Sequence, residues 1–267
     1  MYPKAMFQKK CSMGIILLND PTTLNAMDEE MCFQFNSVIE QLLKDCSDIS
    51  LLIVKGAQGN FSSGGNLNML KRKSDLSPMK AEFEMLNFYE GFLRILHLPV
   101  PTVAVIEGVC VGAAVGLALS CDFRLGLGKV KISVPFLKLG LHPGMGVSAL
   151  LPAYLGEQLS SFYILSGELI SEEHLASTNF FLRNFADEKD CSAFLEKLSE
   201  DLKSLSRDVL QQTLSSIRSK KLQILQSQLA LESKSQAINF HNEFFREKIE
   251  RLISTKTTSS DKTIHSK

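Results

Sequence analysis

Pro101-Thr-Val-Ala-Val-Ile-Glu-Gly-Val-Cys-Val-Gly-Ala-Ala-Val-Gly-Leu-Ala-Leu-Ser-Cys-Asp122 is the stretch whose reading decides the fold. Thr102 to Ile106 is an apolar run rich in β-branched residues, the pattern of a strand covered on both faces. Gly108, Gly112 and Gly116 then recur every fourth residue among Ala and Val, and Leu117, Leu119 and Cys121 carry the apolar run on. The spacing predicts a strand that turns at Gly108 into a helix of small residues. The first N–H groups of a helix have no partners within it and point at whatever lies in front. Two such donors aimed at one point stabilise an oxyanion. Small residues at a helix start also serve simply to let elements pack closely, and this stretch alone leaves both readings open. A candidate for the second donor lies upstream, in the Gly-rich loop Phe61-Ser-Ser-Gly-Gly-Asn-Leu67.

The chain has 267 residues, 45% of them hydrophobic, enough for one large domain or one domain with a small appendage. Lys+Arg and Asp+Glu both number 29, so the formal net charge is zero. That balance points away from nucleic acid or an anionic membrane surface as the main partner. Cys11, Cys32, Cys46, Cys110, Cys121 and Cys191 form no C-x-x-C pair and sit in apolar surroundings, as reduced core cysteines do, and no metal site is predicted. The first residues lack a signal-peptide core and no apolar run reaches membrane-spanning length, so the expectation is a soluble, cytoplasmic protein.

Outward from the central stretch, strand and helix patterns alternate. Gly14 to Asn19 and Ile49 to Val54 read as strands, as does Phe123-Arg-Leu-Gly126. Met31, Phe35, Val38, Ile39 and Leu42 fall at helical spacing, Asn68 to Lys73 reads as a short helix, and Ser77 to Leu96 as an amphipathic one. Ser133 to Gly146 is a loop rich in Gly and Pro, and Val147–Leu155 and Gly156–Leu165 read as helices. Alternation of this kind argues for α/β architecture with a covered sheet. Residues 1–187 form the expected core, 188–253 a wholly helical region, and 254–267, rich in Ser, Thr and Lys, a disordered tail.

Five segments, in order, resemble the crotonase (enoyl-CoA hydratase/isomerase) superfamily: Leu18-Asn-Asp-Pro-Thr-Thr-Leu-Asn-Ala26, Phe61 to Leu67, the central stretch through Phe123, Leu139-Gly-Leu-His-Pro-Gly-Met-Gly146, and Leu165 to Leu175. The resemblance implies a ClpP-like fold of repeated ββα units with a C-terminal helical trimerisation region, assembled as a homotrimer or a dimer of trimers. It implies an acyl-CoA or acyl-carrier-protein substrate, with CoA or phosphopantetheine as part of that substrate and no other cofactor. The oxyanion donors would be the N–H groups of Gly65 and Ala113. Asn25, Ala26, Gly64, Asn66, Leu67, Gly112 and Phe136 would line the ligand.

Two glutamates serve hydratases of this family, and their positions fall here on Gly116 and Phe136; a third acidic position used by some isomerases falls on Gly144. The remaining nearby acid, Glu107, precedes the turn. The loop from Phe136 to Gly146 resembles the decarboxylases of polyketide β-branching, which need no such glutamates. In those enzymes a lysine maps to Lys73, a tyrosine to Met69, and a histidine of the C-terminal helices to Gln236, four residues before Phe240, with His241 a poor substitute. Lys73 also reads as part of a solvated charge run, His142 as a structural loop residue or as the titratable group of the site mouth, and Phe136 as core packing. His97 and His174 carry no motif. The resemblance therefore implies a lyase that decarboxylates a β-carboxyl thioester, with a hydratase or isomerase using relocated acid–base groups, or a silent acyl-CoA-binding homologue, as alternatives.

Overall fold

A computed structural model describes the backbone of residues 2–264, with side chains through Thr255. One sheet holds six strands in chain order: β1 (Ala5–Lys10), β2 (Met13–Leu18), β3 (Leu51–Gly56), β4 (Thr102–Val111), β5 (Phe123–Ser133) and β6 (Arg183–Phe185). β1 pairs antiparallel with β2, and every other neighbour pair is parallel. The helices are α1 (Glu29–Lys44), α2 (Leu67–Lys73), α3 (Pro78–Leu93), α4 (Ala113–Ser120), α5 (Val147–Leu150), α6 (Pro152–Leu155), α7 (Glu157–Ser166), α8 (Glu172–Ser177), α9 (Glu188–Lys203), α10 (Arg207–Asn239) and α11 (Glu243–Ile264).

Side chains alternate across a strand, so the unbroken apolar runs of β3 and β4 require cover on both faces. Leu52, Val54, Ala104 and Ile106 enter the main core with the buried faces of α1, α3 and α4. Leu51, Ile53, Val103 and Val105 face the other way, where Cys191 and Leu195 of α9 close over them. β1 shows no such run because Gln8, Lys9 and Lys10 are exposed at the sheet edge, and sequence reading passes over it. Pro152 divides the helix expected over Val147–Leu155 into α5 and α6, since proline lacks the N–H a helix interior needs. α11 runs as far as Ile264, and residues 265–267 of the expected tail lie outside the described residues.

The central stretch corrects one expectation that bears on the site. The strand does not turn at Gly108; it runs on to Val111, and α4 starts after Gly112. Gly108, at φ +55°, marks a register shift against β5, and a Cβ there would stand 2.2 Å from the Gly59 carbonyl oxygen and 2.5 Å from Asn60 Oδ1. Its bareness lets the loop before Phe61 lie flat on the strand. Phe61 and Ser62 then donate to the Glu107 and Val109 carbonyls at 2.8 and 2.9 Å, and Val111 N–H donates back to Ser62 at 3.1 Å.

α10 docks onto this core through a buried cation. Arg218 donates through Nε to Asp122 Oδ1 at 2.8 Å and through its terminal nitrogens to Asp122 Oδ2 and the carbonyls of Leu96, Leu98 and Val100. Asp122 also accepts from the Thr102 N–H and hydroxyl at 2.8 and 2.9 Å, which ties α10 to the first residue of β4. Removing one partner of a buried pair strands the other charge, at a cost of about 3–5 kcal/mol. Arg218→Met should lose stability of that order in urea unfolding, whereas truncating the exposed Arg251 should change little.

Candidate active site

The pairing of the Gly-rich loop with the end of β4 brings two backbone segments face to face. Gly64 adopts φ +86°, and a Cβ on it would meet the Val111 carbonyl oxygen at 2.3 Å and lie 3.6 Å from Ala113 N. Its own N–H donates to Ser62 Oγ at 3.1 Å, its carbonyl accepts from Met27 N–H at 2.7 Å, and Asn66 N–H donates to Met27 at 2.8 Å. Those bonds leave Gly65 N–H without an acceptor. On the other side Gly112, at φ +58°, donates to Ser133 at 2.9 Å and accepts from Val115 at 3.0 Å, which starts α4 with the Ala113 N–H free. Neither Gly65 nor Ala113 N–H has an acceptor among the described residues. The positive end of the α4 dipole adds to the Ala113 side. Lys221 Nζ closes the opposite end of α4, 2.8 Å from the Leu119 carbonyl.

Gly65 and Ala113 both line one cavity of ≈ 80 Å³, walled also by Leu70, Tyr89, Phe136 and Gln236. Of the residues expected from sequence, Gly64, Gly65, Leu67, Gly112, Ala113 and Phe136 line it. Asn25, Ala26, Asn66, Lys73 and His142 do not, each for a visible reason. Asn25, at φ +57°, spends its amide on the Ala57 and Asn60 carbonyls at 2.9 and 2.7 Å and staples two loops together. Ala26 is buried behind the loop, donating to Thr23 Oγ1 at 3.1 Å. Asn66 caps α2, accepting from Asn68 and Met69 N–H. His142 turns Nδ1 to the Pro143 carbonyl at 2.7 Å. Lys73 is neither at the cavity nor solvated: its side chain is 2% exposed and its ammonium is held by Glu29 at 2.9 Å and Glu84 at 2.7 Å.

The three positions expected to lack a carboxylate are filled by other groups. A Cβ at Gly116 would sit 2.2 Å from the Met145 carbonyl oxygen and 2.6 Å from Met145 Cγ. The Phe136 ring takes the second position, 3.8 Å from where a Gly112 Cβ would stand. At Gly144 a Cβ would meet Tyr89 Oη at 2.4 Å and Gln236 Nε2 at 2.7 Å. Tyr89 went unnoticed in the sequence because it sits beside Phe88 and Phe92 on the apolar face of α3, where it reads as core. A hydroxyl on such a face needs a partner, and that need is the one signal the sequence offered. Burial, with the Glu232 carboxylate adding to it, pushes the Tyr89 phenol well above its usual value.

Glu232 of α10 props the cavity from behind. Its carboxylate accepts from Gly146 N–H at 2.7 Å, Ser148 N–H at 3.3 Å and Ser148 Oγ at 2.6 Å. Burial pushes its carboxyl up to about 7, against the pull of those three donors. Among the described residues no group of three His, Cys, Asp or Glu could hold a metal ion.

One largely apolar cavity is thus lined by two residues whose N–H groups have no acceptor among the described residues, one in a Gly-rich loop and one at a helix start. The chain belongs to the enoyl-CoA hydratase/isomerase family, whose model matches residues 13–266. A probable enoyl-CoA hydratase of Mycobacterium tuberculosis is 33% identical over 161 residues, 60% of this chain and 61% of that protein. Human ethylmalonyl-CoA decarboxylase is 30% identical over 193 residues, 72% of this chain and 61% of that protein. The matches thus span about three fifths of these relatives' length. The crystal structure of an enoyl-CoA hydratase from Bacillus halodurans superposes with a TM-score of 0.85 at 21% identity, covering 93% of this chain and 99% of that one, which establishes the shared crotonase fold. No described helix is long and apolar enough to cross a membrane.

Two outcomes follow from this geometry. Gly116→Glu cannot refill the hydratase position, because the backbone of Met145 occupies it; we expect a loss of about 3 kcal/mol or more in urea unfolding, from forced overpacking, and no hydration of an enoyl thioester. For Glu232, a folded-state value of about 7 against an ordinary value of 4.5 means the folded protein holds the extra proton between those limits. Its contribution is full below pH 4.5 and lost as pH rises through 7. Wild type should therefore lose up to about 3 kcal/mol relative to Glu232→Gln across that window, read as the difference between their unfolding free energies at each pH.

Proposed function

We propose that this protein seats an acyl thioester with its carbonyl oxygen between the Gly65 and Ala113 N–H groups and releases carbon dioxide from a β-carboxyl, malonyl-type acyl group. The observation that carries the reading is the cavity wall: two free backbone donors, and no carboxylate, lysine or histidine among the side chains lining it. Adding water across a double bond needs a positioned acid and base. Decarboxylation needs neither at the bond-breaking step, since the electrons of the broken C–C bond become an enolate whose oxygen the two donors hold. The resemblance to a protein named ethylmalonyl-CoA decarboxylase supports this choice, while the resemblance to probable hydratases supports the alternative of hydration by relocated groups. The thioester handle is CoA or a carrier-protein phosphopantetheine, and the assembly a homotrimer or a dimer of trimers, by analogy with the family.

Mass spectrometry of the full chain with malonyl-type, 3-methylglutaconyl, crotonyl and 3-hydroxybutyryl thioesters, on CoA and on carrier protein, tests it. Loss of carbon dioxide from a β-carboxyl thioester is expected. Gain of water by the crotonyl thioester would instead establish the hydratase reading, and binding without any mass change would make the protein a silent thioester binder. Proline is tolerated at the first position of a helix, so Ala113→Pro should remove one donor while keeping α4. Its kcat should fall by about 10²–10³-fold, the usual effect of deleting one oxyanion donor.

A further inference from the structure

A helix packed on a core needs one apolar face, and α10 has two. Leu214, Leu225, Leu229 and Ala237 are buried against the core, together with Arg218, Glu232 and Gln236. Ile217, Ile224, Leu231 and Ile238 form a separate row at intervals of seven residues. That spacing keeps them in one line along the helix, with a drift of only about 20° per interval. All four are exposed, by 38% to 61%. At the α-helical rise the row is about 32 Å long. Lys220 and Lys234 each fall three residues after one member of the row and four before the next, so their charges border it. Glu232, the one acid between Ile217 and Ile238, turns inward to Gly146 and Ser148. The row is thus apolar with a positive border.

A second exposed apolar patch has the opposite border. Phe162 and Leu165 share one face of α7 at i and i+3, and Leu169 follows the left-handed turn at Gly167. These three are exposed by 49% to 68%. Glu168, Glu172 and Glu173, all exposed, stand among and just after them. Lys138, whose stem lies 3.1 Å from where a Gly167 Cβ would stand, is beside these acids and is outnumbered by them. Among the described residues none of Lys220, Lys234, Glu168, Glu172 and Glu173 has an ion-pair partner within the chain.

We propose that the α10 row of one copy of this chain docks on the α7–α8 patch of a second copy. Row on row would set lysines against lysines, and patch on patch would set glutamates against glutamates. Row on patch encloses an apolar centre with a border of opposite charges, the anatomy of a specific interface. Each copy carries one row and one patch, so the contact closes as a two-fold pair or as a ring. This pairing names the surfaces of the assembly and is independent of the reaction in the cavity.

The test is the mass of the full chain in solution, by light scattering after gel filtration and by sedimentation equilibrium. Wild type should have a multiple of the 29.7 kDa chain mass. Ile217→Gln with Leu231→Gln should shift it toward monomer while circular dichroism keeps its helical signal, since both side chains are exposed within the chain. Lys220→Glu with Lys234→Glu should weaken association about 10-fold or more by setting like charges together, and so should Glu168→Lys with Glu172→Lys and Glu173→Lys. All five charge changes in one chain should restore association, which no folding defect would do. Like-on-like pairing predicts no loss from either set, because each set exchanges one repulsion for another. A wild type that stays monomeric, an assembled mass that neither charge set alters, or a five-change chain that associates no better than either set alone would overturn the pairing. No arm reads turnover, so failure of the thioester assay leaves this outcome untouched.

Discussion

The hydrogen-bonded run that joins residues 61–62 to the far end of β4 is the constraint on which the site depends. Gly65 and Ala113 are 48 positions apart in the chain. They face one cavity because Phe61 and Ser62 donate to Glu107 and Val109 and Val111 donates back, which allows no slip of one segment along the other. Gly65 and Ala113 keep N–H groups without an acceptor among the described residues. Buried backbone donors are nearly always paired, so two unpaired ones at one cavity mark a place built for an external acceptor. Gly108 and Gly64 serve that constraint sterically, since each gives up a Cβ that would strike a carbonyl oxygen at 2.2 or 2.3 Å.

α10 holds the rest in place and does so with buried polar groups. Arg218 grips the start of β4 through Asp122, Lys221 covers the carbonyl end of α4, and Glu232 caps the turn at Gly146. Gln236 reaches the cavity itself. These four residues fall within five turns of one helix face, and three of them bind backbone groups that would otherwise be orphaned at helix or strand ends. Their geometry fixes the rotation of α10, and with it the register at which Gln236 meets Tyr89. A shift of one residue along the helix would undo all of these contacts together.

What could be read from the sequence divides along the same line. Backbone features were legible, since strands β2 to β5 declare themselves by apolar runs and the two cavity-lining backbone segments by Gly-Gly and Gly-Ala-Ala near helix starts, where the side chain need only be small. Side-chain placement was not. Asn25 and Asn66 carry amides that could as well face a ligand as bond to a loop, and only the fold shows them bonded to backbone. Lys73 lies in a run of charges, yet burial between two carboxylates depends on α1 and α3 arriving from elsewhere in the chain. The turn displaced from Gly108 to Gly112 has the same origin: the local pattern offers both glycines, and the partner strand, through the bulge it imposes, selects the second.

The filled carboxylate positions bear on chemistry more than their emptiness in sequence suggested. At Gly116 the backbone of Met145 stands where the side chain would go, so the site is rebuilt around its absence rather than left with a hole. The result is an apolar chamber with a neutral polar corner at Tyr89 and Gln236 and partial positive charge only at the two donors. A substrate carboxylate entering it gives up water and finds no cation, whereas the enolate that replaces it carries its charge on the oxygen those donors already face. Under the proposed reaction, charge would thus move from where the protein does not stabilise it to where it does as the C–C bond breaks. Stabilisation that is larger in the transition state than in the bound substrate is the condition for acceleration, and under the proposed decarboxylation two backbone N–H groups would meet it with no charged side chain.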